Sequence, residues 1–164
     1  GFNSPRWNHV SFNARMFLAN GEDEPQTYYM GAVSASGFTG SGLTPSNLVG
    51  IASFKNRLFL FEKDSQDFWY AGLNSITGAL TKFPLSLVGR VGGNLVAIKT
   101  ISRDGGSGPD DYIAFFMSSG EVFVYQGSDP GDSAAWSIVG RYHIGKTIHQ
   151  SSILAYGSDI LIVN

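Results

Sequence analysis

The chain has 164 residues, of which 13% are aromatic and only 15% are charged, with no cysteine and a formal net charge of −2. Low charge combined with many aromatic residues argues against intrinsic disorder, and a chain of this length can bury a substantial core. The weak net charge and the lack of a Lys/Arg cluster disfavour non-specific DNA binding, and no run approaches the roughly 20 apolar residues that cross a membrane. We therefore expect a single globular domain over residues 1–164, or part of a longer chain.

The first part of the chain predicts a unit of short strands over about residues 7–40. Apolar runs bounded by turn residues are typical of strands, and no apolar pattern of helical period is sustained. Strands are predicted at residues 9–12, 15–19 and 26–30, with a weaker one at 31–38. An acidic loop containing Glu22, Asp23 and Glu24 separates the second strand from the third.

A second unit, over residues 49–87, repeats the first. Its opening hairpin, FKNRLFLFE, resembles FNARMFLAN of the first unit, and Arg57 takes the place of Arg15. In both units a polar loop with Glu and Asp follows, and then an aromatic strand. The predicted strands are residues 49–54, 57–61, 68–70 and 80–87.

Two further units complete the chain, at residues 88–144 and 149–164. In the third unit we predict one long strand at residues 88–101, broken at Gly92-Gly93, followed by a glycine-rich loop at residues 102–111. Three further strands are predicted there, at residues 112–117, 121–125 and 136–144. The fourth unit contains only two predicted strands, at residues 151–156 and 159–163, joined by a turn at residues 157–158.

Repeated units of three or four short antiparallel strands are typical of β-propeller blades, because one sheet cannot bury two apolar faces unless neighbouring sheets cover them. The sequence therefore predicts an all-β fold of antiparallel, propeller-like repeats. Since the fourth unit is only half present, we expect an incomplete propeller, a fragment of a longer chain. A β-sandwich remains the alternative, because its strands also recur at short intervals.

Three carboxylates in the glycine-rich loop, Asp104, Asp110 and Asp111, are candidate Ca²⁺ ligands. Their spacing does not follow the alternating pattern of an EF-hand loop, and a solvated hairpin loop explains them better. The acidic cluster at residues 22–24 is interpreted as a solvated turn for the same reason. Histidines His9, His143 and His149 do not have the spacing of a metal motif.

The segment Ser128-Asp129-Pro130-Gly131, followed by Trp136, partly matches the Asp-box of sialidases, but the tryptophan lies too far along. We interpret it as a β-turn with a packed tryptophan. Arg15 and Arg57 are interpreted as structural, each lying across an aromatic strand or pairing with the acidic loop that follows. There is no Gly-x-Ser-x-Gly elbow and no phosphate-binding loop. The sequence predicts no catalytic, cofactor-binding or metal-binding residues.

Three segments resemble a family of virion proteins from short-tailed bacteriophages and prophages, the tail nozzle (tail tubular protein B) and related proteins that stabilise packaged DNA. These segments are FNARMFLANGEDEPQ, GFTGSGLTPSNLVGIASFKNRLFLFEKDSQDFWYAGLNSITGAL and VFVYQGSDPGDSAAWSIVGRYHIGK. The most specific part is FKNRLFLFEKDSQDFWY.

The resemblance implies a non-enzymatic structural protein of the phage tail. Members form rings below the portal, contact portal, adaptor and tail proteins, and enclose a channel that retains packaged DNA and later passes it. The resemblance thus implies a homo-oligomer found in the virion, and in the bacterial cytoplasm during assembly. The mild negative charge suits a channel with at most weak DNA contact.

Two other functions remain open from the residues alone. A carbohydrate- or receptor-binding module would expose an aromatic platform, for which Trp69, Tyr70 and Trp136 are the candidates. A glycosidase would need two carboxylates at a suitable spacing in one cleft, drawn from Glu22, Glu62, Asp104 and Glu121.

Overall fold

A computed structural model describes residues 1–104, 109–146, 149–156 and 159–163. Within these ranges the protein is built from β-strands and short 3-10 helices, without an α-helix. The all-β prediction is therefore confirmed.

The strands follow one another with short connections. Their bounds are β1 (Asn8–Phe12), β2 (Arg15–Ala19), β3 (Gln26–Tyr29), β4 (Ala32–Ala35), β5 (Phe38–Thr39), β6 (Leu48–Phe54), β7 (Arg57–Glu62), β8 (Phe68–Tyr70), β9 (Gly78–Ala79), β10 (Thr81–Phe83), β11 (Leu95–Asp104), β12 (Pro109–Met117), β13 (Glu121–Gly127), β14 (Trp136–His143), β15 (Ile153–Tyr156) and β16 (Asp159–Ile162). The 3-10 helices are Pro45–Asn47, Leu85–Leu87 and Gln150–Ser152.

Twelve of the strands form three four-stranded antiparallel sheets, in which adjacent strands are joined by hydrogen bonds. Sheet 1 has the order β1-β2-β3-β4, sheet 2 the order β6-β7-β8-β10, and sheet 3 the order β11-β12-β13-β14. Strands β15 and β16 form an antiparallel hairpin, and β5 pairs in parallel with β9. None of these sheets is closed on itself.

Two hairpins owe their register to turns that need left-handed backbone. Asn13 and Ala14 have φ values of 46° and 59°, and Lys55 and Asn56 have values of 44° and 59°. Two consecutive residues with positive φ define a type I′ turn, whose twist matches that of the strands it joins. The resulting registers pair Phe12 with Arg15 and Phe54 with Arg57. The hairpins predicted at these positions are confirmed.

Successive residues of β7 contribute to different cores, which explains why that strand is apolar throughout. Leu58 and Leu60 belong to the core between sheets 1 and 2, whereas Phe59 and Phe61 belong to the core between sheets 2 and 3. Side chains alternate between the two faces of a strand, and both faces of sheet 2 are covered. The third core, between sheet 3 and the β15–β16 hairpin, contains Ile153.

The first strand of each sheet lies beside the first strand of the next. Strand β6 contacts β1 on one side and β11 on the other, and β11 also contacts β15. The sheets therefore stack in chain order, with their first strands grouped together.

Some predicted elements differ from the structure in their bounds or type. Of residues 80–87, only Thr81–Phe83 is a strand, and Leu85–Leu87 is a 3-10 helix that follows Pro84. The long strand predicted at 88–101 begins only at Leu95, because Gly92 and Gly93 adopt positive φ values of 81° and 90° before it. The loop predicted at 102–111 is shorter, since β11 continues to Asp104 and β12 begins at Pro109. The turn predicted at 157–158 lies outside the described residues.

Candidate functional site

A narrow polar cleft lies where the first strands of sheets 1, 2 and 3 come together. It has a volume of about 270 Å³, and its walls include Trp7, Asn8, His9, Ile51 and Lys99. A wider recess of about 780 Å³ also contains Trp7 and Asn8, and extends towards His149. Because three sheets contribute to the cleft, it exists only when the sheets are stacked.

Lys99 is the unusual residue of this cleft. It is half-buried on β11, and desolvation by burial holds the pKa of its amine below the ordinary lysine value. Within the ranges that the structure describes, no carboxylate forms an ion pair with it. The sequence offered no signal for this residue, because the neighbouring strands that bury it lie far away in the chain.

The polar groups around the recess already bind other parts of the protein. The amide nitrogen Nδ2 of Asn8 donates a hydrogen bond of 2.7 Å to the carbonyl oxygen of Val49, which joins sheet 1 to sheet 2. The carboxylate of Glu22, in the loop between β2 and β3 of sheet 1, forms an ion pair of 2.8 Å with the ammonium of Lys63, directly after β7 of sheet 2. These contacts stabilise the stacking of the sheets.

The carboxylates considered for catalysis have structural partners of different kinds. Glu62 accepts a 2.9 Å hydrogen bond from the indole nitrogen of Trp69. Glu121 is 9% exposed and accepts hydrogen bonds from the backbone amides of Arg90 and Val91. Glu22 pairs with Lys63. Each of these three carboxylates thus fixes a side chain or a loop of its own surroundings.

Of the three candidate calcium ligands, the side chains of Asp104 and Asp110 lie outside the described part of the structure. Asp104 ends β11 and Asp110 lies near the start of β12, while Asp111 accepts hydrogen bonds of 2.7 Å from both Lys55 and Ser102. These contacts hold the pKa of the Asp111 carboxyl below its usual value. Among the described residues, no group of three His, Asp or Glu side chains could hold a metal ion.

The acidic loop of the first unit is closed by its own hydrogen bonds. Asp23 accepts bonds from the side chain of Asn20 at 2.7 Å and from the backbone and side chain of Asn3. The bond from Asn20 is the main reason that the pKa of Asp23 lies below its ordinary value. The carboxylate therefore orders the segment that precedes β1.

The histidines lie in three separate elements. His9 is on β1, His143 ends β14 opposite Glu121, and His149 shares a 2.7 Å hydrogen bond with the hydroxyl of Ser151.

The turn after β13 is held by an arginine from sheet 2. Within the turn, the carboxylate of Asp129 accepts a hydrogen bond from the backbone amide of Gly131. The guanidinium of Arg57 forms an ion pair of 2.8 Å with the same carboxylate. Trp136, which follows the turn, is 6% exposed and stacks on Phe59 and Tyr125. The prediction of a turn with a packed tryptophan is confirmed.

The two repeated arginines differ in their contacts. The guanidinium of Arg15 lies 3.9 Å from the centre of the Tyr29 ring, as the interpretation of an arginine over an aromatic strand predicts. Arg57 donates a hydrogen bond of 3.2 Å to the backbone oxygen of Ala71, directly after its own aromatic strand. Its ion pair, however, is with Asp129 in the turn after β13 and not with the acidic loop that follows it.

The exposed aromatic platform that a carbohydrate- or receptor-binding function would need is absent at the three residues named for it. Trp69, Tyr70 and Trp136 are 1%, 9% and 6% exposed, because they fill the cores between sheets. Their rings are therefore not available to stack against a sugar.

Two apolar surfaces remain open at opposite ends of the stack. The outer face of sheet 1 exposes Met16, Tyr28 and Val33 beside Phe2. At the other end, a groove of about 450 Å³ lies between sheet 3 and the β15–β16 hairpin. The sequence did not single out these residues, although apolar side chains on both faces of a strand are a signal of such surfaces.

No protein-family model, no curated protein and no solved structure matches the chain. Among the described residues, no helix is long and apolar enough to cross a membrane.

Proposed function

We propose that the chain is a structural, non-enzymatic part of a β-propeller. The stacking of the first strands carries this proposal: β1, β6, β11 and β15 adjoin in chain order, as the innermost strands of successive propeller blades do. Sheets 1 to 3 would each be one blade, and β15 and β16 would be the inner half of a fourth. The cleft beside Lys99 would lie near the propeller axis.

The biological role we propose is that of a tail nozzle component in a short-tailed phage or prophage. Its support is the resemblance of residues 54–70 to that family. The open apolar surfaces at both ends of the stack are also suited to packing against further protein, since exposed apolar patches commonly mark interaction sites. Portal, adaptor and tail proteins would be its partners, and the virion its location.

The low charge of the chain agrees with this role. A net charge of −2 gives little attraction for phosphates, so packaged DNA would slide past with at most weak contact. The full protein would assemble as a ring of identical subunits around the DNA channel.

Two measurements test the role. Mass spectrometry of purified particles from the source should find the protein at a stoichiometry of several copies, and electron microscopy of the full protein should show rings. A strictly monomeric protein that is absent from purified particles would overturn the proposal.

A carbohydrate- or receptor-binding module is the second candidate. It is favoured by Trp7, a partly exposed aromatic residue that lies in the polar cleft with Asn8 and His9. A glycan array tests it: specific binding that is lost on Trp7→Ala substitution would favour this function, and a flat response would exclude it.

A further inference from the structure

The groove between sheet 3 and the β15–β16 hairpin is uncovered on one side. Its lining includes Phe116 and Val122, which are buried, and Val139 and Tyr142 on β14, which are 45% and 61% exposed. Exposure thus increases from the inner strands of sheet 3 to its outermost strand. The hairpin covers the inner half of this sheet face, and the outer half is open.

The other sheets show what covers such a face. On sheet 2, the outer strands of the following sheet complete the cover: Tyr125 of β13 lies edge-on to Phe83, with ring centres 6.0 Å apart. Trp136 of β14 stacks on Phe59 at 5.8 Å. The same position relative to sheet 3 would be taken by two strands placed beyond β16.

Strand β16 presents an edge to this open space. Within the described ranges it pairs only with β15, and its residues Ile160 and Ile162 form one wall of the groove. The groove is continuous with the core that contains Ile153. An unpaired edge next to an apolar trough is the arrangement that extended peptides recognise by adding a strand.

We propose that this groove binds an antiparallel β-hairpin, which adds to the edge of β16 and places apolar or aromatic side chains at every second position over Val139 and Tyr142. Backbone hydrogen bonds to the edge of β16 supply binding energy, and the apolar groove favours a hairpin with one apolar face. The inference rests on the sheet stacking of the proposed propeller, and not on the phage role.

The experiment uses a fluorescein-labelled synthetic peptide with the sequence of residues 121–143, the outer strands of sheet 3, because this hairpin covers the equivalent face of sheet 2. Fluorescence anisotropy measures its affinity for the chain, and a peptide of the same residues in scrambled order is the control. Hydrogen exchange then reports whether the amides of residues 159–162 become protected on binding.

The expected result is saturable binding of the hairpin peptide, with slower exchange in β16. Val139→Lys and Tyr142→Lys should each weaken binding at least tenfold, since a lysine would be desolvated in the trough. Val33→Lys, on the exposed outer face of sheet 1, should leave the affinity unchanged. All three positions are exposed, so circular dichroism should show folded variants.

No binding, equal binding of the scrambled peptide, or binding without protection of β16 would each overturn the proposal. Binding that is lost in Val33→Lys would also overturn it, because the occupied surface would then be sheet 1. None of these results would alter the expected presence of the protein in particles, so the two proposals fail separately.

Discussion

The guanidinium of Arg57 binds the carboxylate of Asp129 at 2.8 Å, although the two residues are 72 positions apart. The same side chain donates to the backbone oxygens of Ser128, at 3.0 Å, and Ala71, at 3.2 Å. One arginine therefore joins the first hairpin of sheet 2 to the last turn of sheet 3. Its planar fork allows several donors to act at once, which lysine cannot reproduce.

Replacing Arg57 with methionine should lower the free energy of unfolding by about 2–3 kcal/mol. Hydrogen bonds to charged groups are worth about 1.5–3 kcal/mol, and the oxygens of Ser128, Ala71 and Asp129 would lose their donor. Urea denaturation measures the change. Arg15→Met is the matched control, since Arg15 holds the equivalent position but lies over Tyr29 and has no ion pair within the described residues. It should cost about 0.5–1 kcal/mol. Equal losses in both variants would contradict this account of Arg57.

Replacing Lys99 with methionine should stabilise the protein by about 0.5–1 kcal/mol at neutral pH, because an apolar side chain of similar length suits the half-buried site better. Since the folded-state pKa of Lys99 is lowered, the unfolded chain binds the proton more tightly. The free energy of unfolding of the wild type should therefore rise as the pH increases from the folded-state pKa of Lys99 to the ordinary lysine value of 10.5. The stability gained by the methionine variant should become smaller over the same pH range.

Thermal denaturation at several pH values tests this expectation for Lys99. Lys146→Met replaces an exposed lysine and should leave stability nearly unchanged. A destabilised Lys99→Met protein at pH 7 would show that the amine makes favourable interactions in the cleft.

Replacing Asp67 with asparagine should cost about 1 kcal/mol at neutral pH. Burial disfavours the Asp67 carboxylate, but the 2.9 Å bond from the Ser86 amide and the Lys82 ammonium at 3.2 Å outweigh it and lower its pKa. A lowered folded pKa gives stability that is present above the unfolded value of about 3.8 and is lost as pH falls through the folded pKa.

The difference between wild type and Asp67→Asn should accordingly disappear in acid. Urea midpoints from pH 2 to 7 measure it, with Glu24→Gln, at an exposed carboxylate, as the control. A difference that persists at pH 2 would indicate a steric rather than an electrostatic effect.

Replacing Gly50 with alanine should destabilise the protein by about 1–3 kcal/mol, the usual cost of overfilling a packed region. A β-carbon at Gly50 would collide with the ring of Phe61, which lies directly opposite in the β6–β7 ladder. Gly72→Ala is the control, because a β-carbon there meets only Ser75 at an ordinary 3.7 Å.

Denaturation of the double variant Gly50→Ala/Phe61→Leu isolates the contact between ring and glycine. The alanine should cost less in that background than in the wild type. Equal costs would mean that the ring of Phe61 is not the obstacle.

Local features of the fold were predictable, and distant ones were not. The hairpin at Lys55-Asn56 follows from a polar pair between two apolar runs, and the continuous run in β7 from burial on both faces. The backbone bond from the amide of Leu95, at the start of β11, to the oxygen of Ser65 joins residues 30 positions apart, and no local pattern reveals it.

The candidate site was harder to predict, because its residues owe their character to other sheets. Lys99 is an ordinary strand residue in the sequence, and the neighbouring strands β1 and β6 make it a half-buried amine. The partner of Arg57 likewise lies in another repeat. By contrast, Asn20 and Asp23 lie three residues apart in one loop, and an ordered turn could be expected there.

The alternation of Leu58, Phe59, Leu60 and Phe61 has a consequence for how the protein opens. Since neighbouring residues of β7 belong to two cores, sheet 2 cannot separate from sheet 1 or from sheet 3 without exposing half of that strand. The β15–β16 hairpin, in contrast, covers a single sheet face. Unfolding should therefore begin at this hairpin and travel inward, and the amides of β7 should be among the last to exchange with solvent.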